Sequence, residues 1–320
     1  MIRYLLRRFG HGLLLLFVVS ILLFLVQQAA PGEFLTEMRL NSQISEQTLQ
    51  GLREQYGLDK PLPVRYAKWA RSVAGGDFGY SFAYNLPVSG LVWPRVRNTL
   101  LLTVPALLIS WMIALPLGVL AAGRRYGWAE RLFSGSTSVL LAFPDILLGL
   151  LALLIALRTG LFPIGGMSSI GQAQGHASLS DLLWHLTLPV LVLVIGSVAP
   201  ILRQVRSSIL EVTSSSYYRA AEGNGLRPLT LLFRHALPAA VNPLVSLFGL
   251  SVAYLLSTSL VVEVVMGWPG LGPMLLEAVL GRDLFVVLGA VMFTTFFLVA
   301  GNLIADVLLY VFDPRIRMEA

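Results

Sequence analysis

Two lysines, Lys60 and Lys68, and four histidines, His11, His176, His185 and His235, are the scarce reactive groups of a 320-residue chain that has no cysteine. A phosphate-cradling loop needs Gly-x-x-x-x-Gly-Lys-Ser/Thr, and neither lysine stands in that setting, so the chain hydrolyses no ATP by that route. The histidines form no His-Glu-x-x-His pair, and no Gly-x-Ser-x-Gly nucleophile elbow occurs. Thiolate chemistry and cysteine metal sites are excluded outright. No catalytic residue, metal or cofactor is therefore expected, and the chain reads as something other than an enzyme. Ion-coupled pumping needs several buried ionisable groups around one cavity, because each costs about 2.5–3.5 kcal/mol within a membrane. Asp145, Asp306, Glu263 and, at the margins, Arg158 and Arg203 are what falls in or near apolar stretches, a thin supply for self-powered transport.

The elements that must position these few groups are membrane helices. Charged residues make up 12% of the chain against 56% hydrophobic, half the charge a soluble surface carries. Six stretches are long enough to cross about 30 Å of hydrocarbon: Gly10–Ala29, Leu100–Ala122, Leu132–Leu157, Leu186–Leu202, Val241–Met266 and Leu284–Phe312. Pro105, Pro116, Pro144, Pro189 and Pro200 fall in or at the ends of them and are expected to kink the helices without dividing the spans. The first span has the arginine-rich start of a signal peptide, but its apolar core is too long and its exit offers no small-x-small cleavage site, so it is read as retained.

Arginines fix the orientation. Arg3, Arg7 and Arg8 precede the first span, Arg124, Arg125 and Arg131 lie between the second and third, and Arg203, Arg206, Arg219, Arg227 and Arg234 between the fourth and fifth. Arg315 and Arg317 follow the sixth, whereas the short loops of the opposite face hold Arg158 and Arg282 alone. Both termini are expected in the cytoplasm. The net charge of +6 then records orientation and contact with anionic lipid, and no nucleic-acid partner is implied. Residues 31–97 form an external domain between the first two spans. The division is thus an N-terminal span at 1–30, an external cap at 31–97 and a five-helix core at 98–320.

The cytoplasmic stretch 203–237 contains Tyr217-Tyr218-Arg219-Ala220-Ala221-Glu222, then Gly223-Asn224-Gly225-Leu226-Arg227-Pro228, then a short apolar helix bearing Arg234-His235. Small helix formers, a glycine turn and a following proline read as a helix-turn-helix lying on the membrane face, which by itself is also what an ordinary interfacial loop looks like. The segment resembles the EAA loop of binding-protein-dependent ABC importers, specifically the dipeptide/oligopeptide/nickel branch. The resemblance extends over almost the whole chain. Arg-x-x-x-Arg-Arg before the first span and Ala30-Pro31-Gly32-Glu33 after it are similar to the B-type permease of that branch. So are Tyr56-Gly57-Leu58-Asp59-Lys60-Pro61, then Tyr66 and Trp69, then Gly76-Asp77-Phe78-Gly79-Tyr80-Ser81. Glu263 ahead of Trp268-Pro269-Gly270-Leu271-Gly272, Arg282-Asp283 and Asp313-Pro314-Arg315 complete the order.

The resemblance implies an all-α membrane protein of six transmembrane helices, the type I ABC importer permease fold, forming half of a peptide pathway across the cytoplasmic membrane. A nickel or metal-chelate importer permease of the same family is the alternative, and an ATP-independent channel or carrier a further one. It implies a second, C-type permease, two ABC ATPases that bind the ATP, and an extracytoplasmic solute-binding protein. Coupling to the ATPases falls to Tyr217, Arg219, Ala221, Glu222, Gly225, Leu226 and Arg234. Asp59, Asp77, Trp268, Pro269 and Gly270 fall at the external gate and cap. In physical terms Trp268-Pro269-Gly270 is a turn with an indole at the membrane interface, and a rigid corner is the role favoured over direct substrate contact.

The chain departs from the family at Phe143-Pro144-Asp145, where an acid replaces apolar bulk. Asp145, beside a proline kink, should face the bundle interior or a water-filled cavity. It is either structural, paired with an arginine or a hydroxyl of the partner permease or protonated and hydrogen-bonded, or a group lining the translocation path with Ser251 and Thr258 and attracting a cation such as a peptide ammonium or a metal complex. In the fifth span Ser246, Gly249, Ala253 and Ser257 recur at helical spacing and read as a close-packing face, with pore lining as the alternative. Gly223 departs from the EAA pattern and is expected to weaken the first helix of the loop by about 0.8–1 kcal/mol against alanine.

Overall fold

The structure, a computed structural model, describes residues 2–29, 60–81, 83–123, 128–169 and 178–312. The expectations placed on Asp59, on the blocks at 30–33 and 56–59, on Arg124 and Arg125, and on 313–317 lie outside the described residues. Helix follows helix: α1 (Ile2–Ala29), α2 (Leu62–Ala74), a two-residue antiparallel ladder of β1 (Tyr80–Ser81) and β2 (Leu86–Pro87), α3 (Val88–Gly123), α4 (Trp128–Ala142), α5 (Asp145–Thr159), α6 (Leu179–Thr213) and α7 (Ser216–Gly223). Then come α8 (Pro228–Thr230), a π-helical turn (Leu231–Ala236), α9 (Leu237–Ala239), α10 (Val241–Val265), α11 (Leu271–Leu280) and α12 (Leu284–Phe312). Among the described residues five helices are long and apolar enough to cross a membrane, α1, α3, α6, α10 and α12, and the pair α4–α5 makes up to a sixth.

That sixth span is where expectation and structure part. The helix is not kinked but broken: Gly135–Ala142 and Asp145–Thr159 meet at 93°. Proline has no N–H to continue α4 and bars helical geometry at Phe143, so Pro144 stands extended (φ −61°, ψ 142°). Its carbonyl then accepts Leu147 N at 2.9 Å and Leu148 N at 3.1 Å, which starts α5 afresh with Asp145 in its first turn. Gly160, left-handed at φ 65°, ends the helix.

Two spans are longer than their apolar cores. α3 has 36 residues, about 54 Å, and begins at Val88 instead of Leu100. α6 has 35 residues and runs past Leu202 to Thr213 with Pro189 and Pro200 inside it. Polar residues beyond the hydrocarbon lengthen these helices where hydropathy gives no boundary.

The contacts define two compact units, one of residues 1–9, 99–269 and 298–320, the other of residues 10–98 and 270–297. In the first, one core layer joins Leu102 and Ala106 of α3, Ala156 of α5, Leu186 to Val194 of α6, and Leu255, Val262 and Trp268. A second layer joins Ala114 and Val119 of α3, Ile201 to Ile209 of α6, Tyr218 of α7, the π-helical turn and Leu244. Small residues permit these approaches: a methyl on Gly118 would lie 2.7 Å from Val205, and one on Gly301 2.6 Å from Val252. The hydroxyls of Ser110 and Ser197 bond at 2.6 Å inside the core. Arg8 reaches Asp306 at 3.3 Å, so that carboxylate is paired.

Within this chain the small residues of α10 divide between a buried and an exposed face. Gly249 packs against Asn302 and Ala305, but Ser246 and Ser257 are exposed. The buried face carries Leu244, Ser251, Leu255, Thr258 and Val262, so apolar and small hydroxyl residues are buried on it together.

In the second unit α2 lies on α1. Phe17, Phe24, Tyr66 and Trp69 form an aromatic cluster, with Phe24 and Trp69 centroids 5.2 Å apart, and Ser20 and Tyr66 share a hydroxyl bond of 2.8 Å. Phe78 stacks on Phe293, and Gly79, at φ +102°, lets the chain pass against the ring of Phe285.

Candidate functional site

Three constellations carry the residues singled out by sequence. The first is the segment after α6. Ser215 caps α7, its hydroxyl accepting Tyr218 N at 3.3 Å. Tyr218, buried, is the side chain that fastens the helix to the core. Gly225 reverses the chain at φ +75°, and Pro228 opens the second helical piece, the position where its missing N–H costs nothing. The seven residues proposed for coupling lie on this scaffold. Tyr217, Arg219, Glu222, Gly225, Leu226 and Arg234 are exposed, and Ala221 is half-buried. Tyr217 and His235 bond at 3.1 Å and so tie the two helical pieces together. Arg219 donates to the Ser214 carbonyl at 3.2 Å. Gly223 is the last residue of α7, so its low propensity acts only at a helix end. The π-helical turn bearing Arg234 and His235 is a form that recurs at functional sites, and nothing in the local sequence announced it.

The second is the broken span. Asp145 accepts the Tyr254 hydroxyl on both carboxylate oxygens at 3.1 Å, and the Thr258 hydroxyl on Oδ2 at 3.4 Å. A methyl on Gly196 of α6 would stand 2.6 Å from Oδ1, so the carboxylate rests against bare backbone. Asp145 and Thr258 are therefore brought together. Ser251 is not part of the group: it is buried and donates to Leu247 O of its own helix at 2.8 Å. Tyr254 and Gly196 were missed, and the only signal for Tyr254 was its place one turn before Thr258.

The third is the external corner. Trp268 is fully buried in the core, not an interfacial indole, and the reversal after α10 is made by Gly267 at φ +60°, ahead of Pro269-Gly270. Trp268 N donates to Glu263 O at 2.9 Å and Gly267 N to Val264 O at 3.4 Å, the paired bonds of a Schellman cap. Pro269 and Gly270 lead into α11. Asp77 ends α2 in the same way after Gly76 (φ +86°), and its carboxylate accepts Gly79 N at 2.9 Å. Asp283, wholly buried, accepts the Ser81 hydroxyl at 2.6 Å and Ala83 N at 3.2 Å, and its other oxygen caps α12 at Val286 N. Tyr84 donates to Glu277, and burial first, then that bond, pushes its phenol up to about 12. Among the described residues no group of three His, Asp or Glu side chains could hold a metal ion.

The described residues form apolar spans with a short exposed helix-turn-helix hung between two of them on a packed base. Residues 114–318 match the family described as binding-protein-dependent transport system inner membrane component, and residues 1–103 match its N-terminal counterpart; the chain belongs to this family. It is 34% identical over 319 residues to the oligopeptide transport system permease protein AppB of Bacillus subtilis, covering 99% of this chain and 100% of that one. It is 31% identical to the dipeptide transport system permease protein DppB of Escherichia coli, covering 99% of each, and 31% identical to the glutathione transport system permease protein GsiC of Salmonella paratyphi A over 100% of both. Among solved structures it is similar to the MetNI methionine ABC transporter in an inward-facing conformation, with a TM-score of 0.53 and 20% identity over 68% of this chain and 96% of that one. The fold is that of a type I ABC importer permease. The protein is a multi-pass inner-membrane permease, not itself an enzyme; the family implies a partner permease, and partner ATPases hydrolyse the ATP.

Proposed function

We propose that this chain forms half of the translocation pathway for peptides across the cytoplasmic membrane, paired with a C-type permease and driven by two ABC ATPases, with an extracytoplasmic binding protein delivering the substrate. End-to-end similarity to oligopeptide and dipeptide permeases is the observation that carries the reading. The arginine asymmetry supports cytoplasmic termini and puts α7 and the π-helical turn on the ATPase side. There Tyr217, Arg219, Glu222, Leu226 and Arg234 present an exposed surface to a docking partner, while buried Tyr218 carries its motion into the α6–α10 core. On the external side, the corner at Trp268, Pro269 and Gly270 and the turn at Asp77 belong to the gate and cap that meet the binding protein. Reconstitution of the whole transporter in vesicles tests the proposal. The expected result is peptide uptake that needs ATP and stops with vanadate, and mass spectrometry of the captured ligand of the binding protein should return peptides. A metal chelate there, or uptake without ATP, would overturn it.

A further inference from the structure

We propose that Asp145, with the hydroxyls of Tyr254 and Thr258, is a binding step on the path for the protonated amino terminus of the transported peptide; this rests on the peptide reading above. Sequence placed an acid in a membrane span, and the structure supplies its surroundings. The carboxylate is the first residue of α5, at the 93° break, and is held by two neutral hydroxyls. Among the described residues no arginine, lysine or histidine pairs with it. Its partners among the described residues are hydroxyls of this chain and no arginine, so no ion pair there offsets the carboxylate. A negative charge held by neutral donors keeps its attraction for a cation, and that attraction is stronger in a low-dielectric setting than in water.

On one side Gly196 closes the site, its missing side chain leaving room for Oδ1 and nothing more. On the other lies the exposed stripe of α10, formed by Ser246, Leu250, Tyr254, Ser257, Val261 and Val264. Three of these six residues carry hydroxyls, and the Tyr254 side, 38% exposed, opens beside the carboxylate. Lipid would penalise a carboxylate on such a face, so the face meets the partner permease or water between the two subunits. A primary ammonium fits what the site offers. Its three N–H donors match two carboxylate oxygens and a hydroxyl acceptor, whereas the carboxylate end of a peptide would be repelled. One charge-assisted contact is enough to orient a passing peptide and weak enough to release it.

The test uses the complete transporter in vesicles with radiolabelled trialanine. Asp145→Asn keeps the side-chain shape and removes the charge, and import per ATP hydrolysed is expected to fall about tenfold, the factor one charge-assisted hydrogen bond carries. Asp145→Glu should recover most of it, which a purely steric role would not allow. In the wild-type transporter arrested with vanadate, trialanine carrying a diazirine on its first residue should label the stretch from Tyr254 to Thr258, and trialanine carrying it on the third should not. Unchanged import per ATP in Asp145→Asn, or equal labelling from both ends, overturns the site alone. If Asp145→Asn fails to assemble, the labelling of the wild-type protein decides. Absence of trialanine import by wild type overturns the peptide reading and this proposal with it.

Discussion

Gly225 and Gly196 show how one missing side chain can matter for opposite reasons. At Gly225 a Cβ would meet nothing within 4 Å, so whatever a substitution does there comes from the backbone at φ +75°. A β-branched residue in that conformation costs about 1–2 kcal/mol or more, enough to shift a short exposed turn off its geometry. Gly225→Val is expected to reach the membrane in wild-type amounts and to lose ATP-dependent uptake, while Gly225→Asn keeps part of it; uptake normalised to membrane abundance reads this out. Normal uptake by the valine variant would remove the turn from the coupling route. Gly196 is ordinary helix and needs no unusual φ, but its Cβ would press on Asp145 Oδ1 at 2.6 Å. Gly196→Ala should therefore displace the carboxylate by direct contact, lowering import per ATP in the manner of Asp145→Asn with assembly kept. Wild-type coupling in that variant would show that the carboxylate can move without consequence.

Helix ends recur as a device in this chain. α2 and α10 close in Schellman caps with glycine at the left-handed position, Gly76 and Gly267. α11 closes in the same cap, with Asp283 N donating to Ala278 O at 2.8 Å, yet the left-handed residue is Arg282 at φ 53°. An arginine in that region carries about 1 kcal/mol of backbone strain that glycine would not. Arg282→Gly is expected to raise the thermal midpoint of the purified protein by a few degrees, and a lowered midpoint would mean that the arginine side chain contributes more than its backbone costs. Ends of this kind mark what could be read in advance. The helix-turn-helix was legible because Gly225 and Pro228 punctuate it locally, and the spans because their apolar runs are long. The break at Pro144 was visible as a proline but not as a right-angled bend: the groups that hold Asp145 there, Tyr254 and Thr258, come from 109 and 113 residues away. Likewise Asp283 is buried by a partner, Ser81, 202 residues distant. Sequence periodicity carries local information, and these positions are set by long-range contacts.

At the scale of the whole molecule the bilayer is the remaining partner, and α2 bears on it directly. Its sequence, polar on average and without an acidic residue, belongs to the segment expected to form the external cap. The structure lays its Tyr66–Trp69 face along α1, with Tyr66 bonded to Ser20. The apolar stretch of α1 that spans the membrane is Leu6–Val26, so Ser20 lies about 9 Å inside its far end. With that stretch spanning the bilayer, the bond from Tyr66 to Ser20 is expected to hold α2 at the membrane boundary. The opposite face bears Lys68 and Arg71, both exposed, which belong at the level of lipid phosphates, as in interfacial helices whose basic side chains reach outward from an apolar bed. The prediction follows for Trp69, buried against Phe24. In a variant retaining Trp69 as its single tryptophan, reconstituted in vesicles, lipids brominated high on the acyl chain should quench its fluorescence strongly, and aqueous iodide should quench it weakly. Replacing Tyr66 by alanine, which removes the hydroxyl bond and the ring contact with α1, should loosen α2 and shift quenching toward iodide. Strong iodide quenching of the parent protein, with no effect of brominated lipid, would put α2 in water and make its contact with α1 a feature of the region above the membrane.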